Sequence, residues 1–321
     1  MASNVNEKKQ LIVGTRGSAL ALVQADMTEK LLAQKFPNKE IIRKVITTTG
    51  DRRTDVALSE VAKVEGVLDK GVFTKELEVA LEAGEIDLAV HSLKDVPTVL
   101  PVGFEICSVL ERAPVNDVLI TKQKGGLDSL KQGAIVATSS VRRQKMLQWL
   151  RPDIQLVDIR GNVPTRLLKL AENEKLDAII LAEAGLVRLG YNIREMQTEG
   201  GLVFGELIDP ERFLPAAGQG CVGIEVRQGD EATIACVQEI CHHPTFTRII
   251  AEREFLRLLD GGCHTPVGVA TQLLGDKLIM EGIVFLEGEN SVGKPYESEA
   301  SGDASDPLKV AASLFERLSI S

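Results

Sequence analysis

The fold is decided near the start of the chain by residues 11–36, LIVGTRGSALALVQADMTEKLLAQKF. The apolar run at residues 11–13 is typical of a buried strand, and residues 18–36 have the amphipathic spacing of a helix. Residues 14–18 supply the turn between them, with Ser18 as a candidate helix cap. Because strand and helix keep alternating downstream, the sequence predicts an α/β protein with two units, each around a largely parallel sheet.

The rest of the chain extends this pattern and then changes it. Up to residue 181 the predicted strands are 41–48, 87–91, 117–121, 135–137, 154–159 and 178–181, and the predicted helices are 73–83, 141–150 and 164–173. After Gly223 the predicted strands are 223–227, 267–273 and 277–286, and the predicted helices are 231–241, 244–259 and 307–318. This last part predicts a smaller α+β domain. Residues 50–70 are charged and weakly patterned, which favours a lid over the site.

Size and charge limit the class of protein. A chain of 321 residues predicts two or three domains. The net charge of −9 predicts a surface that repels nucleic acid and anionic membranes, so any anion binding has to be local. No apolar run reaches the roughly 18 residues of a membrane-spanning helix, and Met1 to Gln10 lack the apolar core of a signal peptide. We therefore expect a soluble protein of the cytoplasm or an organelle matrix.

The cysteines favour reduced thiols over a disulfide framework, because they are odd in number and widely separated. They are Cys107, Cys221, Cys236, Cys241 and Cys263. The run Cys241-His242-His243 is better interpreted as a helix end before Pro244 than as a metal site, since three adjacent side chains cannot all reach one ion. No metal site is predicted.

Arginine recurs where a predicted strand turns into a predicted helix. A cation beside a helix N-terminus opposes the helix dipole at a cost of about 0.3–1 kcal/mol, so the recurrence indicates an anionic ligand. Any one of these arginines would by itself more often be a solvated surface charge. The residues are Arg16 before Ser18, Arg142 and Arg143 after Ser140, Arg160, and Arg166, with Arg188 as a weaker candidate.

The class of anion can be narrowed. Guanidinium forks suit planar carboxylates, so several arginines together predict a ligand rich in carboxylates. Phosphate is the alternative, but the Walker pattern Gly-x-x-x-x-Gly-Lys is absent. Residues 218–223, GQGCVG, match Gly-x-Gly-x-x-Gly, yet they precede a predicted strand instead of opening a helix. We interpret them as a hinge or crossing.

A further predicted strand ends in His91-Ser92-Leu93-Lys94-Asp95-Val96-Pro97. Because proline discourages a continuing helix, Lys94 and Asp95 are expected on a rigid turn at the ligand-binding edge of the sheet. There, Asp95 could stabilise developing positive charge or transfer a proton. An ordinary surface Lys–Asp pair is an equally good interpretation. His91 is better interpreted as a packed strand residue than as a catalytic base.

Cys263 lies in Asp260-Gly261-Gly262-Cys263-His264-Thr265-Pro266, between a predicted helix and strand. The two glycines let the backbone turn and let a bulky group approach the thiol. Taken alone, a cysteine is more often an inert small hydrophobe.

Taken together, six motifs resemble those of the porphobilinogen deaminases, also called hydroxymethylbilane synthases. They run in that family's order and extend the similarity from about Ile12 to the final predicted helix. They are residues 15–18 (TRGS), 90–97 (VHSLKDVP), 138–143 (TSSVRR), 160–166 (RGNVPTR), 217–220 (AGQG) and 261–263 (GGC).

The resemblance implies a reaction. Enzymes of this family are transferases of haem and tetrapyrrole biosynthesis that join four porphobilinogen molecules head to tail, releasing ammonia, into the linear tetrapyrrole hydroxymethylbilane. Each unit carries an acetate and a propionate, which would explain the arginines. A covalent dipyrromethane cofactor primes the chain. The resemblance further implies a monomer with porphobilinogen as its small-molecule partner and with no nucleic-acid or membrane partner.

The resemblance also implies roles for individual residues. Cys263 would form the thioether to dipyrromethane, and Asp95 would hold the pyrrole N–H groups and stabilise the cationic azafulvene made from porphobilinogen. Lys94, Asp95, Ser140, Arg142, Arg143 and Arg166 would bind the cofactor. Arg16, Ser18, Arg160, Arg166 and Arg188 would receive carboxylates of the substrate or the growing chain.

The implied fold class is α/β, with two periplasmic-binding-protein-like doubly wound lobes facing each other across a cleft and a small α+β C-terminal domain. The implied domains are residues 1–112 with 215–238, residues 113–214, and residues 239–321, the last carrying the cofactor cysteine. One departure falls in the expected lid: the stretch from Lys63 to Lys70 is longer than the family pattern, so neither lysine is assigned a role.

Two other classes of protein would share parts of this pattern. Solute-binding proteins and ligand-sensing regulatory domains also pair α/β lobes around a cleft. The lack of a signal peptide, the lack of a DNA-binding helix pair and the Cys263 loop all count against them. A phosphate-handling transferase is disfavoured because the phosphate loop is missing.

Overall fold

The computed structural model describes residues 9–52, 73–259, 266–285 and 294–318. The chain divides into two compact units: unit 1 comprises residues 1–113 and 221–246, and unit 2 comprises residues 114–220 and 247–321. The predicted boundaries of three domains stay a prediction.

The described elements alternate between strand and helix for most of the chain. In chain order the strands are β1 (Gln10–Arg16), β2 (Glu40–Ile46), β3 (Leu88–Ser92), β4 (Phe104–Val109), β5 (Asp117–Thr121), β6 (Ile135–Ala137), β7 (Gln155–Val157), β8 (Ala178–Ala182), β9 (Met196–Thr198), β10 (Gly201–Leu207), β11 (Val222–Arg227), β12 (Val267–Leu274), β13 (Lys277–Val284) and β14 (Tyr296–Asp303). The α-helices are α1 (Ala19–Lys35), α2 (Thr49–Arg52), α3 (Lys75–Glu82), α4 (Val141–Leu150), α5 (Val163–Glu172), α6 (Glu183–Arg188), α7 (Glu231–Gln238), α8 (His243–Leu258) and α9 (Pro307–Arg317).

Unit 1 is built on a five-stranded sheet in the order β2-β1-β3-β11-β4. Strands β1, β2 and β3 are parallel, whereas β11 runs antiparallel to both of its neighbours, β3 and β4. Because β4 is antiparallel to β11, it runs in the same direction as β1, β2 and β3, as expected of a largely parallel sheet, and only β11 makes this described sheet mixed. The reason is that β11 does not come from a strand–helix–strand unit but enters from the segment that returns after residue 220.

Hydrogen bonds to neighbouring residues determine both ends of helix α1. The Ser18 hydroxyl accepts a hydrogen bond from the Ala21 N–H at 3.3 Å, which caps the first turn. At the other end the Phe36 N–H donates to the Leu32 carbonyl, with Lys35 in the last turn. The buried side chain of Leu32 joins Leu11 and other strand residues in the core of unit 1.

Unit 2 contains a six-stranded sheet in the order β7-β6-β8-β5-β10-β9. Strands β6, β7 and β8 are parallel, and β5, β10 and β9 add antiparallel pairings. This sheet is also mixed, because β5 runs antiparallel to β8 and the β9–β10 hairpin then extends the sheet beyond β5. The N–H of Ile135 donates to the Asp177 carboxylate, which ties the start of β6 to the loop before β8.

A third sheet, β12-β13-β14, is wholly antiparallel and also belongs to unit 2. Helices α8 and α9 contribute Phe255 and Leu314 to its buried core. The tight turn before Lys277 uses Gly275 at φ +58°, a backbone conformation that favours glycine. The α/β class, with a smaller α+β part at the end of the chain, is confirmed.

Among the residues that the structure describes, no helix is both long enough and apolar enough to cross a membrane.

Candidate active site

Two arginine-bearing turns of unit 2 lie side by side. The turn between β6 and α4 carries Ser139, whose hydroxyl donates to the Ile159 carbonyl at 3.0 Å and accepts from the Ile159 N–H at 3.1 Å. Ile159 lies in the turn between β7 and α5. Since β6 and β7 are parallel, both turns follow the carboxyl ends of neighbouring strands. This is the edge at which open α/β sheets bind ligands.

Arg142 and Arg143, in the first turn of α4, bind one buried carboxylate. Arg142 Nη2 donates to Asp117 Oδ2 at 2.6 Å, and Arg143 Nη2 donates to Asp117 Oδ1 at 2.7 Å. Arg142 Nη1 also donates to the Leu214 carbonyl at 2.6 Å, and Arg143 Nη1 to the Ile180 carbonyl at 2.9 Å. The two arginines are only 5% and 6% exposed. They are therefore more deeply buried than we expect of residues at the start of a helix on a ligand-binding sheet edge.

This cluster carries an excess of positive charge. Burial alone would raise the pKa of Asp117, but Arg142 and Arg143 outweigh burial and hold that pKa below its ordinary range. One carboxylate balances only one of the two guanidinium charges. Burial lowers the pKa of Arg142 and outweighs the opposing effect of Asp117. Arg142 Nε is buried and makes no hydrogen bond to the described residues. The arrangement is therefore suited to a further anion.

Ser140 is the N-cap residue of α4, but its hydroxyl makes no capping hydrogen bond. The Ser140 N–H instead donates to the Thr138 hydroxyl at 3.3 Å. Its side chain is half-buried at the start of the helix. A small hydroxyl in this position can donate to or accept from a ligand beside α4.

The next turn holds Arg160 and Arg166 around the start of α5. Asn162 caps the helix through Oδ1, which accepts from the Thr165 N–H at 3.0 Å. Gly161 has φ +116°, and a Cβ there would lie 2.8 Å from Thr165 Cγ2, so the turn needs glycine. Arg166 Nε donates to the Gly161 carbonyl at 2.7 Å, which anchors its side chain at the turn. Arg160 is half-buried, and burial lowers its pKa while Asp158 opposes the change.

Arg188 lies in the last turn of α6, a favourable place for a cation in the helix dipole. Its Nη2 donates to the Gly220 carbonyl at 2.8 Å. Gly218 and Gly220 have φ +72° and +79°, and the chain passes here from unit 2 to unit 1. This division between the units agrees with the interpretation of GQGCVG as a hinge or crossing, and its exclusion as a nucleotide fingerprint stays a prediction.

The residue between those glycines connects the crossing to the arginine cluster. Gln219 is buried, and its Nε2 donates to the Val115 carbonyl at 2.7 Å and to Asp117 Oδ1 at 3.1 Å. The Gly218 N–H donates to Glu252 Oε2 at 2.9 Å. Sequence reasoning missed Asp117 and Gln219. The available signal for Asp117 was an aspartate at the start of the mostly apolar strand DVLIT.

In unit 1, Arg16 is the last residue of β1, and Ser18 lies in the turn that follows it. Arg16 stacks on an aromatic ring, with its Cζ 4.2 Å from the ring centroid of Phe73. The Ser18 hydroxyl is engaged in capping α1. Both residues lie at the carboxyl end of β1, which pairs in parallel with β2 and β3.

Lys94 and Asp95 follow β3 in a short 3₁₀ helix, Leu93–Asp95, and both side chains are half-buried. Ser92, just before them, accepts a hydrogen bond from Gln24 Nε2 at 2.8 Å, which fixes the turn against α1. His91 is 5% exposed, and its Nε2 lies 2.8 Å from Glu225 Oε2 on β11. The interpretation of His91 as a packed strand residue is confirmed.

Some of the predicted site lies outside the described residues: Cys263, the proposed cofactor cysteine, and Lys63 and Lys70 in the expected lid. The four cysteines that the structure describes are free thiols. His242 caps α8, since its Nδ1 accepts from the Thr245 N–H at 3.3 Å. Across the described ranges, no cluster of three or more His, Cys, Asp or Glu side chains is arranged to hold a metal ion.

Comparison with known proteins identifies the family. Residues 11–235 match the family model described as porphobilinogen deaminase, dipyromethane cofactor binding domain, and residues 246–318 match porphobilinogen deaminase, C-terminal domain. The porphobilinogen deaminase of Desulforudis audaxviator is 43% identical over 312 residues, covering 97% of this chain and 94% of the relative. That of Chlorobium luteolum is 47% identical over 261 residues, covering 81% of this chain and 78% of the relative.

Among solved structures, the Bordetella pertussis BvgS VFT2 domain is similar at a TM-score of 0.43 and 15% identity, over 76% of this chain and 93% of that one. This likeness is too weak to bear on function. The two family models together cover most of the sequence, and the Desulforudis audaxviator relative matches nearly end to end. The chain therefore belongs to the porphobilinogen deaminase family, transferases of tetrapyrrole biosynthesis that act on porphobilinogen and use a dipyrromethane cofactor.

Proposed function

We propose that this enzyme joins four porphobilinogen molecules head to tail into hydroxymethylbilane on a dipyrromethane primer. In each addition the amino group of the porphobilinogen aminomethyl substituent leaves as ammonia, and its methylene carbon stays to form the new bond. A carbon–carbon bond forms to the free pyrrole position of the chain end, and that position loses a proton. After the last addition, one water molecule cleaves the tetrapyrrole from the primer. Four porphobilinogens and one water thus give one hydroxymethylbilane and four ammonia molecules.

The observation that carries the proposal is the charge imbalance around Asp117. Two buried guanidiniums, Arg142 and Arg143, share one carboxylate, and Arg142 Nε is buried with no hydrogen bond to the described residues. A buried unbalanced charge costs several kcal/mol by itself, on the order of 3–5 kcal/mol when a partner is missing. A ligand carboxylate would offset that cost.

Dipyrromethane fits this environment, because its two pyrroles bear acetate and propionate side chains. We assign its carboxylates to Arg142, Arg143, Arg166, Ser140 and Lys94. When bound, the cofactor supplies the free pyrrole position at which the chain grows. Arg166 is already oriented by its bond to the Gly161 carbonyl, and Ser140 has a hydroxyl that caps no helix N–H. Each charge-assisted hydrogen bond of this kind contributes about 1.5–3 kcal/mol. The covalent attachment is assigned to Cys263.

Carboxylates of the incoming porphobilinogen and of the growing chain are assigned to the remaining arginines and to Ser18. Arg16 ends β1 and Ser18 follows it, Arg160 precedes α5, and Arg188 closes α6. Arg160 is half-buried with its pKa lowered by burial, so an anionic partner would stabilise its charged form. Arg166 serves the chain as well as the cofactor.

Asp95 is assigned the catalytic role. Its carboxylate is half-buried on the 3₁₀ turn after β3, which Ser92 fixes against Gln24. A negative charge held in a defined position can accept hydrogen bonds from pyrrole N–H groups. It can also stabilise the cationic azafulvene that forms from porphobilinogen as ammonia leaves.

Intact-mass measurement tests the cofactor assignment. Protein made in a haem-producing host should carry an adduct of two pyrrole units, and Cys263→Ala should lack it. Cys241→Ala, which removes a different thiol that is half-buried in the structure, should keep the adduct. An unmodified mass in fully active protein, or an adduct in the Cys263→Ala variant, would rule the assignment out.

Turnover tests the catalytic assignment. Asp95→Asn should keep the adduct but lose turnover by a factor of about 100 or more, since the charge is lost while the shape stays. The exposed Asp128, which lies 3.7 Å from Arg212, gives the matched control Asp128→Asn. Wild-type turnover in Asp95→Asn would remove Asp95 from the mechanism.

Action as a monomer in the cytoplasm stays a prediction. Size-exclusion chromatography with light scattering would test the monomeric state. Fractionation of the native cell would test the cytoplasmic location.

A further inference from the structure

Phe73 is an aromatic residue beside the proposed substrate cation that has so far been given no role. It lies just before α3, half-buried, and its ring centroid is 4.2 Å from Arg16 Cζ. At this distance the guanidinium lies over the negative face of the ring and is attracted to it. The contact joins the end of β1 to the start of α3 within unit 1.

The ring is held by its surroundings. A Cβ on Gly50 would lie 2.1 Å from Phe73 Cε1 and 2.3 Å from Cδ1, so the ring rests against a backbone position that has no side chain. The N–H and the hydroxyl of Thr49 both donate to Glu76 Oε1 at 2.7 Å. These bonds fix the start of α2, next to Gly50, to the first turn of α3, which follows Phe73.

Stacking and carboxylate binding use different parts of a guanidinium. A ring covers the planar face, whereas a carboxylate accepts from the N–H groups along the edge. A stacked arginine therefore has fewer rotamers to lose when a carboxylate binds. Arginine carries about 2 kcal/mol of rotamer entropy, so holding its plane in advance strengthens the ion pair.

We propose that Phe73 is a positioning residue that orients the Arg16 guanidinium toward a carboxylate of porphobilinogen. Gly50 contributes to this positioning, because a side chain at residue 50 would collide with the Phe73 ring. This inference rests on the proposed binding of substrate by Arg16. It adds a residue that acts through Arg16 and not on the reacting atoms.

Steady-state kinetics of the cofactor-loaded enzyme test the proposal. Phe73→Leu should raise KM for porphobilinogen roughly threefold to tenfold, the range that cation–π contacts span, with kcat changed less than about twofold. Phe73→Tyr should restore KM, since it keeps the aromatic face. Phe204, whose ring centroid lies 5.5 Å from Lys124 Nζ, gives the matched control Phe204→Leu, which should leave KM unchanged.

Two further variants keep the test independent of folding. Phenylalanines with one, two and three fluorines at position 73 keep the ring's shape but weaken its negative face, so log KM should rise stepwise along the series. Gly50→Ala displaces the ring and should raise KM as Phe73→Leu does. A KM that stays flat across the fluorinated series would overturn the proposal, whatever Phe73→Leu does.

A double-mutant cycle separates this proposal from the proposed function. If Arg16→Leu raises KM and Phe73→Leu then adds nothing further in the double variant, Phe73 acts through Arg16. If Arg16→Leu raises KM but Phe73→Leu alone does not, the positioning role fails and the substrate role of Arg16 stands. Additive effects, or a KM unchanged by Arg16→Leu, overturn the positioning role, and the latter result also removes Arg16 from the substrate site.

Discussion

Replacing Asp117 with asparagine tests how unit 2 holds its two buried arginines. The asparagine keeps the size of the side chain but removes the charge that Arg142 and Arg143 share. In the wild type, Asp117 accepts from Arg142 Nη2 at 2.6 Å, Arg143 Nη2 at 2.7 Å and Gln219 Nε2 at 3.1 Å. The variant would leave two buried guanidiniums facing each other with no carboxylate between them.

The expected loss of stability can be worked out from this geometry. Removing one partner of a buried ion pair costs about 3–5 kcal/mol, because the remaining charge stays buried and uncompensated. For a unit of this size, 1 kcal/mol lowers Tm by about 2–4 °C. We therefore expect Asp117→Asn to lower the melting temperature of the unit-2 transition by about 6–20 °C at pH 7.

The pH dependence of the difference in Tm between wild type and Asp117→Asn tests the role of the Asp117 charge a second time. The two arginines hold the pKa of Asp117 below its ordinary range despite burial, so its stabilising contribution is present above the unfolded pKa of about 3.9. That contribution is lost as the pH falls below that value, because the unfolded chain then takes up a proton. The gap in Tm between wild type and variant should therefore narrow below about pH 4.

Differential scanning calorimetry at several pH values, on cofactor-free protein, is the assay. Glu254→Gln is the matched control, because Glu254 accepts the same two-bond fork from Arg257 at 2.7 and 2.8 Å on an exposed surface of unit 2. That variant should melt close to the wild type. A Tm for Asp117→Asn within about 2 °C of wild type at pH 7 would refute the reasoning.

Three further predictions concern other parts of the structure. Burial raises the pKa of Glu78 in unit 1, so ionised Glu78 destabilises the fold once the pH exceeds the pKa of this group in the unfolded chain. Calorimetry should therefore show a higher Tm for Glu78→Gln than for the wild type at pH 7, and the difference should vanish near pH 4. Gly161→Ala should cost about 1–3 kcal/mol in urea unfolding, since φ is +116° and the new Cβ meets Thr165. Burial raises the pKa of the Cys107 thiol to about 12, so iodoacetamide at pH 8 should label half-buried Cys241 before Cys107, by peptide mass spectrometry.

Helix ends were predictable where one residue supplies the cap. The helix that follows Ser18 was expected over residues 18–36 and occupies Ala19–Lys35, because the Ser18 hydroxyl binds the Ala21 N–H. Helix α4 occupies Val141–Leu150, as expected from its run of residues between two turns. For α1 the deciding contact is local, so it can be predicted from neighbouring residues, whereas α4 begins as expected although the Ser140 hydroxyl makes no capping bond.

Strands at sheet margins were harder to predict. Strand β14, YESEASGD, has one buried side chain, Ala300, so it lacks the apolar alternation that marks a half-buried strand. It forms because β13 offers a complete row of backbone partners from Lys277 to Val284. Strand β10 begins at Gly201 and contains Gly205, which weakens its strand signal in the same way.

The candidate site was predictable as a set of turns but not as a charge network. Arg16, Arg142 and Arg166 each stand beside a helix start, which the residue pattern indicates directly. The partner of Arg142 could not be predicted from neighbouring residues, because Arg142 lies in α4 whereas Asp117 begins strand β5. Its position is set by the antiparallel register that pairs Asp117 with Ala182.

The place of β11 in unit 1 affects how the chain acquires its structure during translation. This strand lies between β3 and β4, yet it is synthesised after the whole of residues 114–220. A nascent chain that has emerged only to residue 113 holds β3 and β4 without their common neighbour, with backbone edges open to wrong pairing. Unit 1 therefore completes its sheet only when the ribosome has delivered residue 227, so truncated products that stop earlier should be prone to aggregation and degradation.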